Sequence, residues 1–116
     1  MFDEKIFARV EKNIGRENLG KLIGMFLINA PKKIQAAILA RETGNFKGIM
    51  DAAHSMISSA GTLGAVKVQR LSAGLEQAAG EKKKEEVSRL ISELKAAYEE
   101  VKPILEQRKK SGDSSL

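Results

Sequence analysis

Apolar residues recur along this chain at spacings of three and four, which is the period of an α-helix rather than of a β-strand. The pattern is clearest near the C-terminus, where one face carries Val87, Leu90, Ile91, Leu94, Tyr98, Val101 and Leu105. No Asn-Gly or Asp-Gly pair separates alternating apolar runs, so the sequence does not indicate hairpins. The sequence therefore predicts an all-α fold.

Two helices are predicted in the first third of the chain. The first is short, spans about residues 3–13 and has Asp3 as its N-cap. The second carries an apolar stripe over residues 19–38, which Pro31 interrupts. Because proline lacks an amide hydrogen and crowds the preceding turn, we expect this helix to kink or restart at Pro31.

Glycine-containing turns separate three further helices. Gly44 is a suitable C-cap for the second helix and Asn45 an N-cap for the third, which covers about residues 46–60. Residues 61–64 predict a turn, and the fourth helix ends at Gly80. These elements predict an up-down four-helix bundle with a short N-terminal capping helix.

The domain is expected to cover residues 1–108. Residues 109–116 are small and polar, so we expect them to form a disordered tail. The charged N-terminus does not resemble a signal peptide, and no uninterrupted apolar run approaches the roughly 20 residues of a membrane span. With no cysteine in the chain, disulfides and thiol chemistry are also excluded. We expect a cytoplasmic monomer that does not insert into a membrane.

The chain has a net charge of +5, and residues 1–50 hold most of the excess, with nine Lys or Arg against five Asp or Glu. Nucleic acid is one class of partner for a basic surface, but aromatic residues are only 4% of the chain and no binding motif is present. An acidic protein partner explains the bias equally well. A solvated surface without a specific partner also stays open, and we expect no nucleic-acid partner.

His54 is the only histidine and lies in Ala52–Val66, 15 residues without a formal charge. A metal site would require further ligands of the His, Cys or Glu-x-x-His kind, so we expect no metal and no cofactor. Acyl transfer would require an orienting acid and an oxyanion hole, which a small helical bundle does not readily build. No glycine-rich strand–loop–helix is present to bind a nucleotide.

A lone histidine can still act as a nucleophile in phosphoryl transfer. The neutral imidazole, which dominates at cytoplasmic pH, offers a free ring nitrogen, and a partner can supply positioning and charge neutralisation. On a helix, Met50, Asp51, Ile57 and Ser58 share the face of His54. Ser58 leaves room for an incoming active site, whereas Asp51 would either repel phosphate or hold the imidazole tautomer. From the residues alone, an ordinary bundle histidine stays open as the alternative.

The segment around His54 resembles the signature of histidine-phosphotransfer (HPt) domains, roughly Ala-His-x-Leu-Lys-Gly-Ser-x-x-x-Leu-Gly-Ala. The matching residues are Ala53, His54, Ser59, Leu63, Gly64 and Ala65, and Met56 replaces the leucine conservatively. Residues 26–40, including Pro31, and the pair Leu75-Glu76 resemble the flanking helices of the family. The resemblance covers about residues 3–106.

The resemblance implies that His54 accepts a phosphoryl group from the aspartate of one response-regulator receiver domain and passes it to another. The chain would be a carrier without catalytic activity of its own, and Mg²⁺ would belong to the receiver. A hybrid sensor kinase is a further expected partner. The predicted docking residues are Met50, Ile57, Ser58, Ser59, Lys67 and Arg70.

Two positions depart from the family pattern. Ile57 replaces a lysine that is thought to neutralise phosphate in the family, and Ser58 replaces a glycine. Lys67 or Arg70 could supply the missing charge if the next helix lies close to His54. The departures also leave open an HPt-like adaptor that binds receiver domains without carrying phosphate.

Overall fold

The computed structural model describes residues 1–113, with side chains through residue 110, and these residues form four α-helices. α1 spans Glu4–Glu42, α2 spans Phe46–Thr62, α3 spans Val66–Gly80 and α4 spans Lys84–Asp113. The described part of the chain contains no strand. The prediction of an all-α fold is therefore confirmed.

Side chains and glycine fix the ends of the first two helices. The carboxylate of Asp3 caps α1 by accepting a hydrogen bond from the amide of Lys5 at 2.9 Å. Asn45 caps α2 in the same way, accepting from the amide of Gly48 at 2.9 Å. Gly44 precedes it with a φ of 69°, a left-handed conformation that a residue without Cβ adopts at little cost. Both caps agree with the sequence prediction.

α1 covers both of the helices that the sequence predicts in this region, and a kink separates them. Its one non-helical residue is Gly15, with φ 83° and ψ 163°, and this break lies next to the predicted end of the short helix. The structure therefore has a short helical segment before Gly15, and its role as a cap of the bundle stays a prediction. The predicted restart at Pro31 is wrong, because the backbone stays helical there while Ala30 and Ile34 anchor that turn in the core.

The four helices pack as a ring around one core. α1 and α3 each contact both α2 and α4, and within the described residues the backbones of α1 and α3, and those of α2 and α4, do not approach each other closely. The three connections are three residues long. Such short connections favour antiparallel neighbours, as the predicted up-down order requires.

Aliphatic side chains fill most of the core. The large side chains that are fully buried include Ile23, Ile49, Met56, Leu63, Leu75, Leu94 and Leu105. The rings of Phe26 and Tyr98 lie 5.9 Å apart between centroids, and the Tyr98 hydroxyl donates to the carbonyl of Leu27 at 3.2 Å. This hydrogen bond joins α4 to α1 and satisfies a buried phenol.

The N-terminus is attached to one end of the bundle. The amide of Asp3 donates to the carbonyl of Gly64, in the turn between α2 and α3, at 2.8 Å. The guanidinium of Arg108 on α4 lies 5.4 Å from the ring centroid of Phe2 and 5.2 Å from that of Phe7. These contacts hold the start of α1 against both the α2–α3 turn and α4.

By length and composition alone, α1 is long and apolar enough to cross a membrane. Its most apolar stretch of 18 residues has a mean hydropathy of 1.3, and 28% of that stretch is buried inside the bundle. A core helix of a soluble protein passes the same test, so this is weak evidence, and the absence of membrane insertion stays a prediction.

α4 remains helical through Asp113, beyond the predicted domain end at residue 108. The rest of the predicted tail, residues 114–116, lies outside the described residues.

Candidate functional site

α2 buries one apolar face and presents His54 on another. The buried residues are Ile49, Ala52, Ala53, Met56 and Ala60. His54 follows Ala53 by one residue, a rotation of about 100° around the helix, and its side chain is 73% exposed. The imidazole is therefore accessible to a partner protein.

Glu76 of α3 holds one edge of this imidazole. Its Oε2 lies 2.8 Å from Nδ1 of His54, and the Glu76 side chain is only 32% exposed. Because an ionised carboxylate has no proton to donate, this contact favours the neutral tautomer that carries its proton on Nδ1. Nε2, across the ring, then carries a free lone pair.

Sequence reasoning offered Asp51 as the residue that could hold the imidazole tautomer. In the structure the carboxylate of Asp51 accepts instead from the ammonium of Lys47, at 3.1 Å. The sequence does not predict Glu76 as a partner of His54, because their contact depends on how α3 packs against α2. The available signal was its place in the Leu75-Glu76 pair that resembles the family's flanking helix.

A groove of about 580 Å³ runs between α1 and α2 beside His54. Ser55, Ser58 and Ser59 line its α2 wall, while Met25 and Lys33 are among the residues of its α1 wall. Ser55 follows His54 directly, and Ser58 lies one turn further along α2. The structure thus places two of the predicted docking residues, Ser58 and Ser59, in a concave surface next to the imidazole.

Met50 and Ile57 lie on the side of α2 that faces α3. The Met50 methyl group would be 3.5 Å from a Cβ at Gly80 of α3, and Ile57 follows two turns later on the same side of the helix. Both side chains are half-buried. They form an apolar border beside His54, opposite the groove.

Lys67 and Arg70 are not brought to His54. The ammonium of Lys67 lies 3.9 Å from the carboxylate of Glu100 on α4. Nine residues separate Lys67 from Glu76, so the two point to opposite sides of α3, and Arg70 is rotated by about 120° from Glu76. The geometry therefore does not support the expectation that Lys67 or Arg70 supplies the positive charge that the family lysine would provide.

The site consists of one oriented imidazole with small and apolar neighbours. Among the described residues, no group of three or more His, Asp or Glu side chains could hold a metal ion. An exposed imidazole whose far nitrogen is free can act as a nucleophile toward an electrophilic centre that a partner delivers.

A helical bundle that presents one oriented histidine to partners is the arrangement of histidine-based phosphoryl carriers. The family model for the Hpt domain matches residues 21–103, most of the chain, and the chain therefore belongs to the Hpt domain family. Members of this family act in phosphorelays together with receiver domains and kinases. The resemblance seen in the sequence is confirmed.

A solved structure supports the fold. The crystal structure of histidine-containing phosphotransfer protein B from Pseudomonas aeruginosa matches with a TM-score of 0.88 and 18% sequence identity, covering 95% of each chain. At this identity the match establishes the fold alone. No curated protein sequence matches the chain significantly.

Proposed function

We propose that the chain is a phosphorelay intermediate, which accepts a phosphoryl group on His54 from a receiver-domain aspartate and passes it to another receiver. The observation that supports this most directly is the 2.8 Å contact between Glu76 and Nδ1 of an otherwise exposed imidazole. This contact supports Nε2 as the nucleophile, because it occupies Nδ1 of a side chain that is otherwise open to a second protein.

The exchange of covalent bonds needs no group from this chain beyond the oriented ring. The Nε2 lone pair forms a bond to phosphorus while the bond from phosphorus to the receiver's aspartate oxygen breaks, and the aspartate leaves as a carboxylate. Positive charge develops on the imidazole, and the Glu76 carboxylate beside Nδ1 stabilises it. Passage to the second receiver is the same step in reverse. The receivers supply the remaining charge neutralisation, so the chain is a carrier and not an enzyme.

The proposed docking surface surrounds His54 and consists of Met50, Ile57, Ser58 and Ser59. Met50 and Ile57 form its apolar border, and the two serines open into the groove between α1 and α2. The lack of formal charge over residues 52–66 suits a surface that a receiver covers. We take a cytoplasmic monomer as the working form and a hybrid sensor kinase as one source of phosphate.

A second candidate function is an adaptor that binds receivers without carrying phosphate. It is favoured by the half-buried Ile57, which stands where the family resemblance places a lysine. The phosphate on His54 would then lose one charge-assisted contact. The two functions share the docking surface and differ only in whether His54 becomes phosphorylated.

Transfer of radiolabel distinguishes these functions. Receiver domains of the native organism are phosphorylated with a labelled phosphodonor and mixed with the wild-type protein or His54→Gln. The carrier function predicts acid-labile, base-stable label on the wild-type chain and none on the variant. Binding of a receiver without any label would contradict the carrier function and favour the adaptor.

A further inference from the structure

The surroundings of His54 offer little positive charge for a reaction that moves a dianionic group. An aspartyl phosphate, like other phosphoryl groups at neutral pH, carries about two negative charges. In this chain the position of the family lysine is Ile57, and the carboxylate of Glu76 lies on the α3 side of the ring. Any cation that this chain itself contributes to the phosphoryl group or the receiver therefore comes from another part of its fold.

The basic residues closest to His54 in sequence are either paired with a carboxylate or directed away from the imidazole. Lys47 pairs with Asp51 at 3.1 Å, and Lys67 pairs with Glu100 at 3.9 Å. Arg70 points away, about 120° around α3 from Glu76. None of the three is directed at the imidazole.

Lys33 approaches from α1. It lines the same groove as Ser55 and Ser58, the residues that flank His54 on that side of α2. Two turns further along α1, Ala40 packs against Gly48, so this stretch of the two helices is in close contact. Within the described residues, Lys33 makes no ion pair or side-chain hydrogen bond that would compete with a partner.

We propose that Lys33, at the edge of the α1–α2 groove, is the cation with which this chain engages the phosphorylated acidic site of a receiver domain. The ammonium acts from the opposite wall of the groove, in place of the charge that Ile57 does not supply. A long, flexible lysine can reach across a groove, and a point charge at the edge of an interface raises the rate of productive encounter. This inference rests on the proposed function for the identity of the partner.

The test compares Lys33→Gln with Lys32→Gln. Lys32 is the adjacent residue, equally exposed, and is not part of the groove, so the control makes the same charge change about 100° around α1. Two quantities are measured against a labelled receiver: the rate constant of transfer to His54 and the dissociation constant of the complex. We expect Lys33→Gln to slow transfer by about tenfold, the scale of one hydrogen bond to a charged group, and Lys32→Gln to leave both quantities nearly unchanged.

Rescue and salt dependence sharpen the test. Transfer by the wild type should slow as salt rises, and Lys33→Gln should flatten that dependence relative to Lys32→Gln. Adding Ile57→Lys to Lys33→Gln should restore much of the rate, because it returns a cation to the other side of His54, one turn along α2. Circular dichroism of each variant checks that the helices are intact.

The outcomes separate this inference from the proposed function. Equal rates, affinities and salt dependence for the Lys33 and Lys32 variants would overturn the role of Lys33 while leaving the carrier function in place. Binding that depends on Lys33 but never leads to label on His54 would keep the role of Lys33 and exclude the carrier function. If the wild type neither binds nor accepts label from any receiver of the organism, both are wrong.

Discussion

His54 on α2 and Glu76 on α3 form a contact of 2.8 Å between Nδ1 and Oε2, and it is the one ion-pair contact of the imidazole within the described chain. It unites two helices at the site and selects which ring nitrogen stays free. A carboxylate also stabilises the positive charge that the ring acquires when Nε2 is phosphorylated. The pair therefore links the packing of α3 on α2 to the chemistry of His54.

Glu76→Ala should slow the phosphorylation of His54 by about ten- to a hundredfold, since a hydrogen bond between charged groups contributes about 1.5–3 kcal/mol. Without the carboxylate, the imidazole rotates freely and its proton is shared between both nitrogens. Nitrogen-detected NMR of the histidine would report the tautomer directly, together with the rate of label transfer.

Glu76→Gln is the matched control for this prediction. Its side-chain carbonyl can still accept from Nδ1–H but carries no charge. We expect the tautomer to persist and transfer to fall less than in Glu76→Ala. An unchanged tautomer population in Glu76→Ala would show that Glu76 does not position the ring.

Ser58→Trp should block receiver docking while leaving the helices intact. Ser58 is exposed and lines the groove beside His54, so an indole there fills space that a partner must enter. Ser92→Trp places the same bulk at an exposed position on α4 and serves as the control. Calorimetric titration with a receiver should show weaker binding for the first variant only. Equal affinity of both variants would place the docking surface elsewhere.

The sequence predicted the helices that carry this site because their signals are local. Asn45 and Gly44 act within one turn of backbone, and the spacing of Ala53 and Met56 identifies the buried face of α2. The position of His54 on the outer face follows from that spacing alone. These features need no knowledge of how the helices pack.

Pro31 does not end the helix, although the sequence predicts that the helix kinks or restarts there. Its missing amide removes one hydrogen bond, but its ring is exposed, and Ala30 and Ile34 keep the turn in the core. Tertiary packing therefore outweighs the local penalty. The one break in α1 is at Gly15, between the two helices that the sequence predicts, where a φ of 83° favours a residue without a side chain.

Contacts between helices were the other unpredicted part of the site. The pairing of Glu76 with His54 and of Lys67 with Glu100 depends on the rotation of α3 about its own axis. A single sequence fixes which residues share a face of α3 but not which neighbouring helix each face meets. For this reason Lys67 was predicted at the site and Glu76 was not.

Gly64→Ala should destabilise the protein more than Gly44→Ala. Both glycines have positive φ, 79° and 69°, so alanine at either position carries a conformational penalty of about 1–2 kcal/mol. At Gly64 an added Cβ would also lie 2.6 Å from the carbonyl oxygen of Asp3, whereas Gly44 has open space around it. Urea denaturation should give a larger loss for Gly64→Ala. Equal losses would mean that the backbone of Asp3 can move away from the added Cβ without any loss in the free energy of unfolding.

Tyr98→Phe should make unfolding less dependent on pH at alkaline pH. Burial raises the pKa of Tyr98, and the charge of Glu106 acts in the same direction. The folded state then holds the phenolic proton more tightly than the unfolded chain, so this stabilisation is present below the unfolded pKa of about 10 and is lost as pH rises through the folded value.

At about pH 8 the variant should be less stable by about 1 kcal/mol, because the hydrogen bond to Leu27 is lost. The free energy of unfolding of both proteins is measured by urea denaturation at about pH 8 and about pH 11. The contribution of lysine titration cancels in the difference between them, because both proteins contain the same lysines. We expect the difference in unfolding free energy to shrink or reverse at the higher pH, and a constant difference would show that ionisation of Tyr98 is not linked to unfolding.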